Sequence, residues 1–204
     1  MNPLTIVPTL IAAAMDPLTI VLIVIAAVVV LLILWLVAKY NVLVRLRAQV
    51  RNAWAQIDVQ LKRRWDLIPN LVETVKGYTK HEAETLQKVT EARKLAQSAA
   101  GQGVARQAEA EGMLSGALGR LLAVVEAYPD LKANQNYLAL QEELTSTENK
   151  IGFSRQFYND TVMRFNTTIQ MFPTSIVAGM FHFAASEFFE LKDQAAREAP
   201  KVQF

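Results

Sequence analysis

The chain has 204 residues, 52% of them hydrophobic, with a net charge of +2 at pH 7 and no cysteine. So small a positive excess, without a basic run interleaved with aromatics, argues against a nucleic-acid binder. The missing thiols exclude disulfides, thiolate metal centres, cysteine nucleophiles and a lipidated N-terminal cysteine.

Every Lys and Arg lies after Ala38, and so does every acid except Asp16, so the chain up to Ala38 is a different material from the rest. Its opening MNPLTIV (Met1–Val7) returns as MDPLTIV (Met15–Val21). The first copy is interrupted by Pro8 and is too short to cross a bilayer as a helix. Residues 1–15 therefore read as a short extracytoplasmic extension, with Met15 an alternative start. The second copy opens a transmembrane helix over 16–39. Asp16 and Pro17 supply an N-cap acceptor and a proline at the first helical position. The uncharged run Ile20–Ala38 covers about 28 Å at the α-helical rise, close to the hydrocarbon thickness of a bilayer. Trp35, Lys39 and Tyr40 suit the membrane–water boundary as anchors. Lys39, Arg45, Arg47 and Arg51 follow the span and no basic side chain precedes it, so the short N-terminus is expected outside and the large C-terminal part in the cytoplasm. A cleaved signal peptide is the competing reading. It lacks a basic n-region, and the apolar run is long for an h-region.

Residues 40–172 read as a helical bundle. Leu43, Val50 and Ile57 recur every seven residues, with Trp54, Leu61 and Ile68 alongside, which is the seam of a coiled-coil-like first helix continuing out of the span. Pro69 is expected to kink or restart it. Gly77 ends it, and Thr79 with Glu82 reads as a capping box for the second helix, which runs to about Ser98. Gly101-Gln102-Gly103 is the turn into a third helix with Met113, Leu114, Leu118, Leu121, Leu122 and Val125 on its apolar side, where Gly112, Gly116 and Gly119 permit close helix contact. The fourth helix, expected from Leu131 to Met171, carries the longest repeat: Tyr137, Leu144, Ile151, Tyr158, Phe165 and Phe172 fall at seven-residue intervals and predict a buried core stripe. Short connections imply an up-down-up-down order. The expected fold is thus all-α, a single N-terminal transmembrane helix continuing into a long antiparallel bundle. Two short helices cannot cover two long ones, so apolar surface should remain for another copy.

Tyr40–Glu82 (YNVLVRLRAQVRNAWAQIDVQLKRRWDLIPNLVETVKGYTKHE) and Tyr128–Asp160 (YPDLKANQNYLALQEELTSTENKIGFSRQFYND) closely resemble the LemA family of bacterial membrane proteins, and FNTTIQMFPTSIVAGMFHFAASEFFE resembles that family's C-terminal segment. The resemblance implies a single-pass protein of the bacterial inner membrane with a cytoplasmic antiparallel bundle, and it supplies no reaction. Through a related magnetosome-membrane protein it implies a part in membrane organisation. The duplicated N-terminus departs from the family's usual pattern.

A search for chemistry is negative. HEAET at His81 fails as HExxH because Thr85 stands where the second imidazole must be, and Gly101 and Gly103 do not complete a GxGxxG. No catalytic, cofactor-binding or metal-ligating residue is assigned, and neither a cofactor nor a small-molecule substrate is expected. The polar residues of interest lie beside the core stripe: Asn134, Gln141, Glu148 and Arg155 also repeat every seven, with Arg64, Asp66 and Asn70 as complements on the first helix. They form either a solvated face of weak surface pairs or a partly buried network fixing register. In the second case Glu148 and Arg155 should find opposite charges on the first helix. The aromatic segment 173–191 packs on the bundle, dips into the membrane interface or seals a neighbour, and 192–204 is expected to be a flexible tail. The expected partners are the lipid bilayer, further copies of the chain and another membrane protein. The expected work is scaffolding, with an adaptor to a membrane protease and a signal transducer as rivals.

Overall fold

A computed structural model describes residues 16–79 and 81–190; the repeated segment at 1–15 and the tail from 192 lie outside the described residues. Within them the chain is all-α: α1 Pro17–Lys76, α2 Ala83–Ala99, α3 Val104–Val125, the short α4 Pro129–Lys132, α5 Gln135–Gln170 and α6 Thr174–Met180. α1 begins at Pro17, with the Asp16 backbone carbonyl accepting the Thr19 and Ile20 N–H groups at 2.8 and 3.2 Å. Its 60 residues make an element about 90 Å long.

Pro69 does not restart the helix, which runs on to Lys76. A proline at that position leaves the Trp65 carbonyl without its i+4 donor. Arg93 of α2 replaces it, Nε–H donating to Trp65 O at 2.7 Å. The backbone bond lost in one helix is thus made good by a side chain of the next.

The chain folds as two units, one of residues 16–45 with 168–183, the other of 46–167 with 184–190. In the first, the apolar side chains from Leu18 to Leu34 of α1 are exposed, while Leu43 is fully buried. The Tyr40 ring packs on Phe181 and Phe183, with centroids 4.7 and 5.9 Å away, and α6 buries Thr174, Val177 and Ala178.

The second unit is the bundle. α1 and α5 run antiparallel: Trp54 meets Tyr158, Arg64 meets Glu148 and Tyr78 meets Asn134, one number falling as the other rises. α3 runs parallel to α1, Asp58 meeting Gln107 and Trp65 meeting Glu111. α2 returns between them, so the order is up-down-up-down. Ile57, Leu61, Ile68 and Leu71 of α1 and Leu114, Leu118 and Leu121 of α3 form the core, each contributing about 1.5–3 kcal/mol by leaving water. The turn between α2 and α3 needs its glycines, since Gly101 and Gly103 take φ of 77° and 106°. Residues 184–190 form an extended strap, tied by Asn159, Asn166 and Tyr158 of α5.

Four expectations are corrected. Thr79 and Glu82 form no capping box: the Thr79 hydroxyl donates to the Val75 carbonyl, closing α1, and Glu82 makes no side-chain cap. The fourth helix divides into α4 and α5, because Asn134 Oδ1 accepts the Tyr137 N–H and caps a fresh start. Tyr137, Leu144, Ile151, Tyr158 and Phe165 are buried, but Phe172 is 80% exposed, because the helix ends at Gln170 and the seven-residue count then no longer follows a helix face. Gly116 and Gly119 face open space and mediate no close contact.

Candidate functional site

The polar site with the most buried charge grows from three helices of the bundle. Arg64 of α1 is 1% exposed. Its Nη2 donates to Glu111 Oε2 of α3, and its Nη1 donates to Glu148 Oε1 of α5 at 2.5 Å and to Ser115 Oγ of α3 at 2.9 Å. The adjoining Trp65 donates its indole N–H to the other Glu111 oxygen, Oε1, at 2.9 Å. One guanidinium therefore bridges two carboxylates on two further helices, and both oxygens of the buried carboxylate are engaged. Burial pushes the Glu111 carboxyl above its ordinary value; the Arg64 charge and the hydrogen bonds from Arg64 and Trp65 oppose this, and the charge of Glu148 adds to it.

A cavity of about 190 Å³ adjoins the cluster, lined by Arg64, Glu111, Ser115, Glu148, Arg155 and Phe189 among others. The fork geometry of arginine suits this bridging role, because each nitrogen points at a fixed angle and cannot follow a helix that slides. The arrangement joins α1, α3 and α5 at one level of the bundle.

The polar residues expected from sequence divide three ways. Arg64 and Glu148 are brought together, with Arg155 on the adjoining cavity and outside any ion pair among the described residues. Asn134 belongs to a separate contact, its Nδ2 donating to the Tyr78 hydroxyl at 2.7 Å. Asp66 is exposed on a side of α1 turned away from the cluster, and Gln141, on the same edge of α5 as Glu148 but two turns before it, lines a shallow groove instead, so neither joins the cluster. Of the boundary residues Trp35, Lys39 and Tyr40, all are half-buried, and the contacts of Tyr40 are those with Phe181 and Phe183.

Glu111, Trp65 and Ser115 were not expected. A signal for Glu111 exists: Gln107, Glu111, Leu114, Leu118, Leu121 and Val125 follow alternating steps of four and three, so both polar residues sit on the apolar seam of α3, and both are buried. Arg64 likewise continues the row Leu43, Val50, Ile57.

Comparison with known proteins follows the same residues. The LemA family profile matches residues 53–204, which takes in α1 from Ala53 and every later helix. The chain belongs to the LemA family. Protein LemA of Metamycoplasma hominis is 32% identical over 143 residues, covering 70% of this chain and 64% of that protein. Magnetosome protein MamQ 2 of Paramagnetospirillum magneticum is 34% identical over 83 residues, 41% of this chain and 30% of its own length. Magnetosome protein MamQ of Magnetospirillum gryphiswaldense is 25% identical over 181 residues, 77% of this chain and 66% of its own length. The chain thus spans between about a third and two thirds of these relatives. To the LemA family match, the structure adds an N-terminal helix long and apolar enough to cross a bilayer, with the whole apolar window uncovered by the described chain. The protein is a membrane-associated member of the LemA family.

Proposed function

We propose that this protein is a non-enzymatic scaffold of the bacterial inner membrane. It is anchored once by the N-terminal part of α1, keeps its bundle in the cytoplasm, associates with further copies and organises a patch of membrane or the proteins within it. The observation that carries this reading is the double composition of α1: one helix exposes Leu18 to Leu34 and, further along, supplies Ile57, Leu61 and Ile68 to the bundle core. One element is both anchor and core, so bundle contacts between copies would act on the membrane segment directly. Lys39, Arg45, Arg47 and Arg51, directly after the apolar run, support a cytoplasmic bundle. Apolar side chains left exposed on α5, including Leu138, Phe153 and Phe157, support association. The buried cluster favours structure over catalysis, since both oxygens of its buried carboxylate are engaged by Arg64 and Trp65.

Membrane attachment and sidedness are tested together. The protein should stay with the membrane pellet through an alkaline carbonate wash, and its bundle should resist protease added to spheroplasts until they are opened. Release by carbonate, or digestion of the bundle in sealed spheroplasts, contradicts the reading.

A further inference from the structure

Besides the span, the first unit turns apolar side chains outward at one further place. α6 buries Thr174, Val177 and Ala178, while Ile176 and Met180, one turn apart on its other face, are exposed together with the adjoining Met171, Phe172 and Phe181. A helix face turned to water is ordinarily the polar one. Here no charge offsets the apolar side chains, since no acid, Lys or Arg occurs between Arg164 and Glu187. The backbone of the segment is closed on itself. The Ser175 and Ile176 N–H groups donate to the Met171 and Pro173 carbonyls at 2.8 and 3.3 Å, and those of Phe181, His182 and Phe183 to the Val177, Gly179 and Ala178 carbonyls at 3.1, 3.3 and 2.9 Å. Leaving water would therefore cost these main-chain groups little.

Tyr40 sets this surface against the span. It follows the uncharged run Ile20–Ala38 by two residues, about 3 Å of helical rise, and its ring lies 4.7 Å from that of Phe181 and 5.9 Å from that of Phe183. The headgroup layer beyond the hydrocarbon is about 5–8 Å deep on each side, so a bilayer centred on the run puts the Tyr40–Phe181 pair at the level of that layer. Burial along α1 begins at Trp35 and Leu36, before the run ends. The charges agree with this level. Those of the unit, among the described residues, are Asp16 at the start of the span and Lys39 and Arg45, both positive, at the end that holds α6.

We propose that α6 and its flanking turns are a second membrane contact, a foot whose exposed face of Met171, Phe172, Ile176, Met180 and Phe181 enters the acyl–headgroup boundary of the leaflet at which Lys39 and Arg45 emerge. The occupant is a lipid surface that carries anionic headgroups. The foot rests on membrane anchoring by α1 and adds to it the place where the returning chain meets the bilayer again. Lipid is favoured over a second copy on two grounds. The patch belongs to the unit whose α1 side chains from Leu18 to Leu34 are already uncovered apolar surface, so one medium meets both. Its neighbouring charges, Lys39 and Arg45, match anionic headgroups and would repel the same charges on another copy. A lone span takes its tilt from neighbours and interfacial anchors; a foot packed on Tyr40 sets that tilt from within the chain.

The chain has no cysteine, so one label reports one site. Full-length Ile176→Cys and Met180→Cys, each carrying an environment-sensitive fluorophore, are reconstituted with excess lipid into vesicles of phosphatidylcholine and phosphatidylglycerol. Both positions are exposed, so a label there leaves the packing in place. The foot predicts blue-shifted emission at both, strong loss to a nitroxide carried high on the lipid acyl chain, and little loss to aqueous iodide. A Leu95→Cys label, exposed on α2, should show the reverse, and a lipid-like response there overturns the assignment by showing that the label itself seeks lipid. Loss to iodide instead of nitroxide at either Ile176 or Met180 overturns the foot. So does protection from both quenchers, which means that protein covers the patch. A Leu31→Cys label separates the foot from the anchor. Nitroxide quenching at Leu31 without quenching at Ile176 and Met180 removes the foot alone, whereas a Leu31 label open to iodide removes the span with it.

Discussion

At the scale of single residues, Arg64 is the side chain whose loss the fold should tolerate least. Among the described residues it is the one cation paired with Glu111, and removing it leaves a buried carboxylate without that countercharge. Arg64→Met should lower the unfolding free energy by about 3–5 kcal/mol. Arg64→Met with Glu111→Leu should recover most of that loss, because replacing a buried pair by apolar groups of similar volume is often near neutral. Urea unfolding of the detergent-solubilised protein checks both. A double variant as unstable as the single one contradicts this assignment of the pair. Glu111 also predicts a pH dependence. Its folded value lies above the ordinary 4.5, so the native state holds the proton more firmly than the unfolded chain. Its contribution is fully present below the unfolded value and is lost as pH rises through the folded one. The stability difference between wild type and Glu111→Gln should therefore shift in favour of wild type as the pH is lowered from 7 towards 4.5. A difference that moves the other way contradicts the raised value.

At the scale of elements, Pro69 and Arg93 form a pair that separates helix chemistry from packing. Arg93→Met should cost about 1–3 kcal/mol, the penalty of an unsatisfied carbonyl at Trp65. In a Pro69→Ala background the helix supplies its own N–H to that carbonyl, so the same substitution should cost much less, and a double-mutant cycle by denaturant unfolding measures the coupling. Additive costs would contradict the repair. This element also marks where sequence reading stops. The period of seven located α1 and α5, and five of the six positions it named in the fourth helix are buried, because burial of a helix face imposes that period locally. It could not say that α1 survives Pro69, since the donor that repairs it comes from α2. It missed Phe172, because a helix end is set by the chain beyond it. Within the buried cluster, Glu148 is legible in a polar repeat beside an apolar row and Arg64 as its complement on α1, whereas Glu111 belongs to no such repeat and stands on the α3 seam. The strap was legible only as an aromatic run: its bonds are to backbone, and no side-chain pattern records them.

At the scale of the whole molecule, exposed apolar length on α1 and apolar side chains left on α5 bear on one question, whether the protein works as one chain or many. The particle mass of the purified full-length protein in detergent, read by mass photometry, tests this most directly. A scaffold predicts large particles of uniform mass, many times the 22.7 kDa chain. A particle of one chain with its detergent, enlarging only when another protein is added, contradicts it.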